Sequence, residues 1–483
     1  MTAVTAPPRS WSKLVAQNAQ EFGPTPLTLL SGQIPQGLRG TLYRNGPGSL
    51  QRGGKRVGHW FDGDGAILAV HFREDGVKAL YRYVKTQSYL AETQADRYLW
   101  SNYGMTDPQG LWHYWQSLFT QQDILKNSAN TSVLALPDRL LALWEAGLPH
   151  ALDLETLETL GIENFSQLNR DRPYSAHPLR DPNTGDIFSI GVDIQSNLNL
   201  YHQNASGQIL KQKTLKLKDI PFVHSFCLAG PYLIFLFPPL KLDKLGVLFG
   251  TKAYASALQW QTGASTRLLV IDRDNFEIIS QGETDPFFLW HYGNGCLDTD
   301  GNVRLDFVKF SDFAQTNEFL REMATGRSHT ISNGYLWQMR LNPQTGQVLE
   351  SNPLIQRSSE FPVIDPRLTS QPWRYTYLAI QRHQATPGQE WFGAIARFDH
   401  QTGTISEHDL GENRYVVEPL YIPDGGNPDQ GWLITIVYDG QKDQSEIWIW
   451  DSAGLADEPL CRLVLPQRIP FSFHGTWAPL PPA

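Results

Sequence analysis

Ile469-Pro-Phe-Ser-Phe-His-Gly-Thr-Trp477 lies almost at the end of the 483-residue chain. A terminal segment frays unless something ties it down, yet this one is dense in aromatic residues and closes on Gly-Thr-Trp. That chemistry fits the end of a buried strand. His474, between Phe473 and Gly475, is then either a satisfied core residue or a ligand. Three other histidines share its setting: Ala176-His177-Pro178, Val223-His224-Ser225 and Trp290-His291-Tyr292. Each sits beside Pro, aromatic or aliphatic residues at the end of a strand-like run.

Outward from these positions the chain reads as short strands and turns. One turn type recurs, in Asp181-Pro-Asn-Thr-Gly185, Asn204-Ala-Ser-Gly207, Asp298-Thr-Asp-Gly301, Asn342-Pro-Gln-Thr-Gly346, Asp399-His-Gln-Thr-Gly403 and Asp451-Ser-Ala-Gly454. Each lies between β-type runs, as hairpin turns do. In the second half the closing glycines are 45, 57 and 51 residues apart. A period near 50 with several strands per unit is the mark of propeller blades, and a chain of this length holds about six to eight of them. A generic β-sandwich array explains the turns without the period. His59-Trp-Phe-Asp-Gly-Asp-Gly65 reads as a tight turn into an alternating strand, Ala66–Phe72. His59 and His71 read as turn and strand-surface residues, and His202, His329, His383, His400 and His408 as polar-turn or surface residues. His150 follows a Gly-Leu-Pro turn.

Residues 1–20 read as a peripheral segment ahead of a single domain over 21–483. Within Ser10–Phe22 a short amphipathic helix places Trp11, Leu14 and Val15 on one side. Two stretches break the β pattern. Asp107–Asn127 reads as helix with Leu111, Trp112, Trp115, Leu118, Phe119 and Ile124 on one face. Pro231–Gly250 starts as a strand and becomes an apolar loop with Lys241 and Lys244, fit either for a membrane interface or for plain core packing.

Composition narrows the function. Hydrophobic residues make up 41% and charged ones 18%, so the chain can bury a large core. Aromatics at 12%, with 15 Trp, suit strands and the walls of apolar pockets. A net charge of −9 argues against nucleic acid as partner. Cys227, Cys296 and Cys461 are odd in number and widely spaced, which fits a reducing compartment and offers no zinc-thiolate motif. The first residues show no apolar leader, and no apolar run approaches the ~18 residues that span a bilayer.

The four singled-out histidines are 47, 67 and 183 residues apart, which excludes a local zinc motif such as HExxH. A propeller could bring them together, since inner strands of different blades all reach the axis. Three glutamates have similarly apolar neighbours: Glu145 after Trp144, Glu360 before Phe361 and Glu418 before Pro419. Buried glutamates are rare unless paired. A ligating His commonly donates its second ring N–H to a carboxylate, and outer carboxylates offset the charge of a divalent ion held by neutral rings.

Arg44-Asn-Gly-Pro47, Phe61-Asp-Gly-Asp-Gly65, Leu140-Leu-Ala-Leu-Trp-Glu145, Ser175-Ala-His-Pro178, Glu360-Phe-Pro362, Glu418-Pro419 and His474-Gly-Thr-Trp477 occur in this order. With them the chain resembles the carotenoid cleavage oxygenase family from about Gly32 to Trp477. The resemblance implies an all-β, seven-bladed propeller with a helical and loop cap forming a substrate tunnel. It implies one Fe(2+), bound by His177, His224, His291 and His474. Glu145, Glu360 and Glu418 would back His224, His291 and His474 in that pairing, leaving His177 without a carboxylate, and the Thr131 methyl would crowd an open iron position. The implied reaction is oxidative cleavage of a conjugated C=C bond of a carotenoid or apocarotenoid by O2, giving two carbonyl products through a dioxetane or an epoxide-like intermediate.

No side chain then acts as acid or base, and the tunnel sets which bond is cut. Trp144, Phe222, Trp290 and Phe361 are its wall candidates, each also readable as core packing. Stilbene cleavers of the family carry a lysine where this chain has Trp144, which favours a polyene. The family often reads His-Asp-Phe at the second ligand, and this chain has His224-Ser-Phe226; Trp290-His-Tyr-Gly-Asn-Gly-Cys296 also departs from relatives. A cytoplasmic monomer touching the membrane peripherally is expected. The rival readings are a retinoid isomerohydrolase on the same fold, a glycosidase using Asp62 and Asp64, and a non-catalytic interaction propeller.

Overall fold

The computed structural model describes residues 9–119, 125–169, 172–193, 195–218, 222–385, 390–425 and 430–480. Among them, seven antiparallel sheets of four or more strands form a seven-bladed β-propeller. The third blade is typical: Leu179–Arg180, Ile187–Val192, Asn197–Gln203 and Ile209–Lys216 pair in chain order from the axis outward. Blades two, four, five and six begin on the inner strands Ser132–Ala135, Cys227–Ala229, Phe288–Leu297 and Ser359–Val363.

The recurrent turns do join neighbouring strands. Their Asx side chains accept backbone N–H bonds, as Asp181 Oδ1 does from Asn183 and Asn342 Oδ1 from Gln344. Glycines 185, 207, 301, 346 and 403 close them at φ between 70° and 87°, where a Cβ is strained. Their places in the blades differ, however. Asp298–Gly301 joins the first and second strands of blade five, and Asn342–Gly346 joins the third and fourth strands of that same blade. The 45-residue gap is therefore internal to a blade. The true repeat is the 57 and 51 residues separating the outer turns of blades five, six and seven.

The ring is closed by both ends of the chain. Gly475–Pro479 is the innermost strand of the first blade, antiparallel to Gly40–Ser49, with Arg44 opposite Gly475 and Leu42 opposite Trp477. Thr28–Gly32 crosses to the seventh blade and pairs with Cys461–Val464. First and last blades are thus stitched together, which removes the free edge that a ring of sheets would otherwise leave. Gly475 is required there: a Cβ on it would lie 2.5 Å from the carbonyl oxygen of Tyr43.

Packing between blades corrects several expectations. Asp64–Arg73 does not alternate; every residue but Arg73 is buried, because both faces of the blade meet neighbours. His59, His71 and the ring of His400 are buried rather than superficial. His59 Nδ1 caps a helical turn by accepting from Phe61 N–H, and His71 bonds Thr41 Oγ1. The segment expected to be peripheral inserts Trp11, Leu14 and Val15 into the same core cluster as Trp60 and Phe471, from a helix ending at Ala16. Residues 1–8 lie outside the described residues.

The cap contains the helix Leu111–Phe119, shorter than the sequence pattern, together with Gln87–Ala95, Lys244–Leu248 and Phe313–Met323. Tyr114 and Ser117 point inward, while Leu111 and Trp112 face out; Ile124 and the side chains of Leu118 and Phe119 lie outside the described residues. No helix among the described residues is long and apolar enough to cross a membrane.

Candidate metal centre

The propeller delivers one residue per blade to the axis, at or just before the innermost strand. In blade order from the first these are His474, Thr131, His177, His224, His291, Glu360 and Glu418. The wide spacing along the chain is the spacing of blades. Glu145 comes from the turn after Leu140–Leu143, the second strand of blade two.

The four imidazoles converge, each offering a nitrogen within 4.8 Å of the others. Nε2 of His291 lies 3.1 Å from Nε2 of His224 and 3.1 Å from Nε2 of His474. On their far sides, Glu360 Oε2 is 2.6 Å from His291 Nδ1, Glu418 Oε1 is 2.8 Å from His474 Nδ1, and Glu145 contacts His224 Nδ1. His177 has no carboxylate, and its buried Nε2 has no hydrogen-bond partner among the described residues. The structure places the four histidines together, with Glu145 beside His224, Glu360 beside His291 and Glu418 beside His474.

The donor set fits a divalent cation. A carboxylate that accepts a hydrogen bond at Nδ1 fixes the proton there and leaves the Nε2 lone pair directed inward. Three such lone pairs, that of His291 3.1 Å from each of the other two, repel unless a positive charge lies between them. Burial, reinforced by the other three rings, holds His177 well below the usual imidazole range. Burial likewise lowers His474 against the pull of Glu418. At His291 burial pulls the ring down, but Glu360, joined by Glu418 and Glu145, outweighs it and raises the ring. Imidazole nitrogens suit Fe, Zn, Cu and Ni, and four of them leave octahedral positions free.

Arg44 belongs to this site, and its role was not read from the sequence. Fully buried, it donates from Nη1 to Glu418 Oε2 at 2.9 Å and to the Glu418 carbonyl at 3.0 Å, and from Nη2 to Ser472 Oγ and the Phe473 carbonyl. Burial alone would raise the Glu418 carboxyl; His474 and then Arg44 reverse that and hold it below the ordinary range. The signals in the sequence were an arginine directly after the run Thr41-Leu-Tyr43 and its place at the head of the Arg44-Asn-Gly-Pro47 motif.

A cavity of about 1610 Å³ meets the centre, and Thr131, Trp144, Phe222, Trp290 and Phe361 line it. Pockets for drug-sized ligands run ~300–1,000 Å³, so this one suits a longer molecule. Phe361 lies at φ 58°, a left-handed conformation that costs a bulky residue ~1–3 kcal/mol. The strain sets its ring 5.5 Å from His291 and 5.6 Å from His474. Asp62 and Asp64 are already committed. Asp62 accepts from the His59 and Gly104 N–H groups, and burial pushes its carboxyl up to about 7; Asp64 pairs with Arg52 at 2.8 Å and Lys126 at 2.6 Å.

The family described as retinal pigment epithelial membrane protein matches residues 15–479. The chain is similar to apocarotenoid-15,15'-oxygenase of Synechocystis sp., 32% identical over 462 residues that cover 93% of this chain and 92% of that protein. It is also similar to resveratrol cleavage oxygenase 1 of Aspergillus fumigatus, 25% identical over 476 residues, 92% of this chain and 91% of that one. The solved structure of cobalt-substituted Synechocystis apocarotenoid oxygenase aligns at a TM-score of 0.87 with 30% identity, covering 98% of this chain and 99% of that one. Sequence and shape agree from end to end, and the chain belongs to the retinal pigment epithelial membrane protein family, the carotenoid oxygenases.

Proposed function

We propose that the protein is a non-haem Fe(II) dioxygenase that cuts one conjugated C=C bond of a carotenoid or apocarotenoid with O2, giving two carbonyl products. The observation that carries this reading is the convergence of four imidazoles, three backed by carboxylates, beside a long aromatic cavity. The cobalt-substituted relative supports a divalent ion at such a site. When bound, a ferrous ion would supply the one-electron chemistry that lets ground-state O2 react with a double bond.

The protein's own part is placement. His177, His224, His291 and His474 keep their donor atoms turned inward, and Glu145, Glu360 and Glu418 hold the outer N–H protons in place. Trp144, Phe222, Trp290 and Phe361 line up the polyene and exclude water. The balance closes without a reductant: the C=C bond breaks, two C=O bonds form, and each product keeps one atom of O2. Trp144 at the position where stilbene cleavers carry lysine favours a polyene over a hydroxystilbene.

Incubating the iron-loaded protein with apocarotenals and intact carotenoids under ¹⁸O2, with aldehydes reduced at once to prevent exchange, should give two products each carrying one heavy oxygen. An isomerised alcohol without label would sink the oxygenase reading and favour an isomerohydrolase.

A polyene reaches such a cavity from a lipid phase. Trp112 is 84% exposed, Leu245 64% and Leu248 51%, with Leu111 and Phe249 beside them in sequence. Val247 and Leu248 also line the cavity, which supports a mouth at this patch. Leu240 is half-buried against the core and takes no part. We assign this patch to peripheral membrane contact from the cytoplasm, where three unbridged cysteines are at home. Replacing Trp112, Leu245 and Leu248 together by glutamate should cut co-sedimentation with liposomes at least about tenfold; unchanged binding would place the mouth elsewhere.

A further inference from the structure

His150 is buried at 5% exposure and lines the cavity; its Nδ1 is closed off and has no hydrogen-bond partner among the described residues, so Nε2 is the ring nitrogen that a ligand could reach. Its place in the fold explains the isolation. It opens the strand His150–Leu152 of blade two, and its register partners are Ala142 on one side and Ile162 on the other. Side chains of directly paired residues share one face of a sheet, so the imidazole stands in a row of three with two aliphatic groups. Ile162 also lines the cavity, so this face looks into it. Asn127, which donates from Nδ2 to the carbonyl of Leu148 two residues before His150, is itself occupied, its Oδ1 accepting from Ala129 N–H.

A polar group left without a partner in a protein interior is destabilising, and each such group in a native structure asks for an explanation. Burial pushes the imidazole down to about 4, so near neutral pH the ring is uncharged, with one N–H donor and one nitrogen acceptor. A neutral ring suits a neutral oxygen function. It pairs with a hydroxyl as donor or acceptor, or with a carbonyl as donor. It lacks the charge needed to hold a carboxylate in an apolar tube.

We infer that His150 forms a hydrogen-bonding subsite for the oxygenated end, hydroxyl or aldehyde, of the polyene. This rests on the reading of the protein as a polyene-cleaving oxygenase. A fixed contact on the cavity wall also acts as a ruler. An end group held at His150 sets how many carbons separate it from the bond presented to the imidazole cluster.

The test compares two substrates of equal length in one enzyme: an apocarotenol, and the hydrocarbon with a terminal methyl in place of the CH2OH. The wild-type kcat/KM should favour the alcohol by about tenfold, the worth of one hydrogen bond. In His150→Phe the ratio should fall to about one, with the hydrocarbon still cleaved and the alcohol now cut at more than one bond. His150→Asn should restore part of the preference. The ratio is internal to each preparation, so a partly folded variant does not distort it. Binding of both polyenes to the metal-free protein, followed by tryptophan quenching, should show the same change without turnover. An unchanged ratio and a single cleavage position in His150→Phe would overturn the subsite. Cleavage of neither polyene by the wild type would instead overturn the functional reading beneath it.

Discussion

His474→Ala should lose the metal and the reaction while keeping the fold. One of four converging donors disappears, and the remaining three cannot hold the ion at the same affinity. Iron per chain is expected below about a tenth of wild type after dialysis, and turnover should fall by ~10³-fold or more, about 4 kcal/mol of barrier. The fold survives because Glu418 keeps its other partners, the guanidinium of Arg44 at 2.9 Å and the Gly475 N–H at 2.9 Å. The melting temperature should move by only a few degrees. Metal analysis, circular dichroism and product formation on one preparation decide the matter. Full iron content with full turnover would remove His474 from the centre.

Arg44→Ala should do the reverse, acting on stability first. It strips the cation from a buried carboxylate and leaves Ser472 Oγ and the Phe473 carbonyl without the guanidinium donor, while the Glu418 carbonyl keeps Thr435 Oγ1 at 3.1 Å. Breaking a buried pair from one side costs ~3–5 kcal/mol. The urea midpoint should shift accordingly with an unchanged slope, and iron should be lost together with the fold. Arg44→Lys should recover little, since one ammonium cannot reach Glu418, Ser472 and Phe473 at once. A loss under about 1 kcal/mol for Arg44→Ala would mean that His474 and the Gly475 N–H hold Glu418 without the guanidinium. The contrast between the two variants separates the group that binds from the group that positions.

Much of this was written in the chain. The Asx–Gly turns carry hairpins because an Asp or Asn at the start and, in five of the six, a glycine at positive φ at the end satisfy that geometry locally. The apolar settings of His177, His224, His291 and His474 marked them out from the other nine histidines, since an imidazole among aromatic and aliphatic neighbours needs a reason to be there. The family motifs then supplied the blade number and the pairing of rings with glutamates. Trp11, Leu14 and Val15 read correctly as one apolar face, yet burial against blades distant in sequence turned a peripheral segment into core.

Other features depended on closing the ring. Two turns 45 residues apart look like a blade repeat in one dimension, and only strand pairing puts both in blade five. Arg44 meets Glu418 because Gly475–Pro479 returns to lie beside Gly40–Ser49, a contact across 374 residues. The left-handed turn of Phe361 and the empty hydrogen-bonding edge of His150 are properties of what surrounds them. Local residue chemistry decides which side chains can bind, turn or bury, because those preferences act over a few bonds. Which lone pairs meet, which charge is neutralised and which imidazole is left facing the cavity follow from blades packed around a common axis, where neighbours in space are blades apart in sequence.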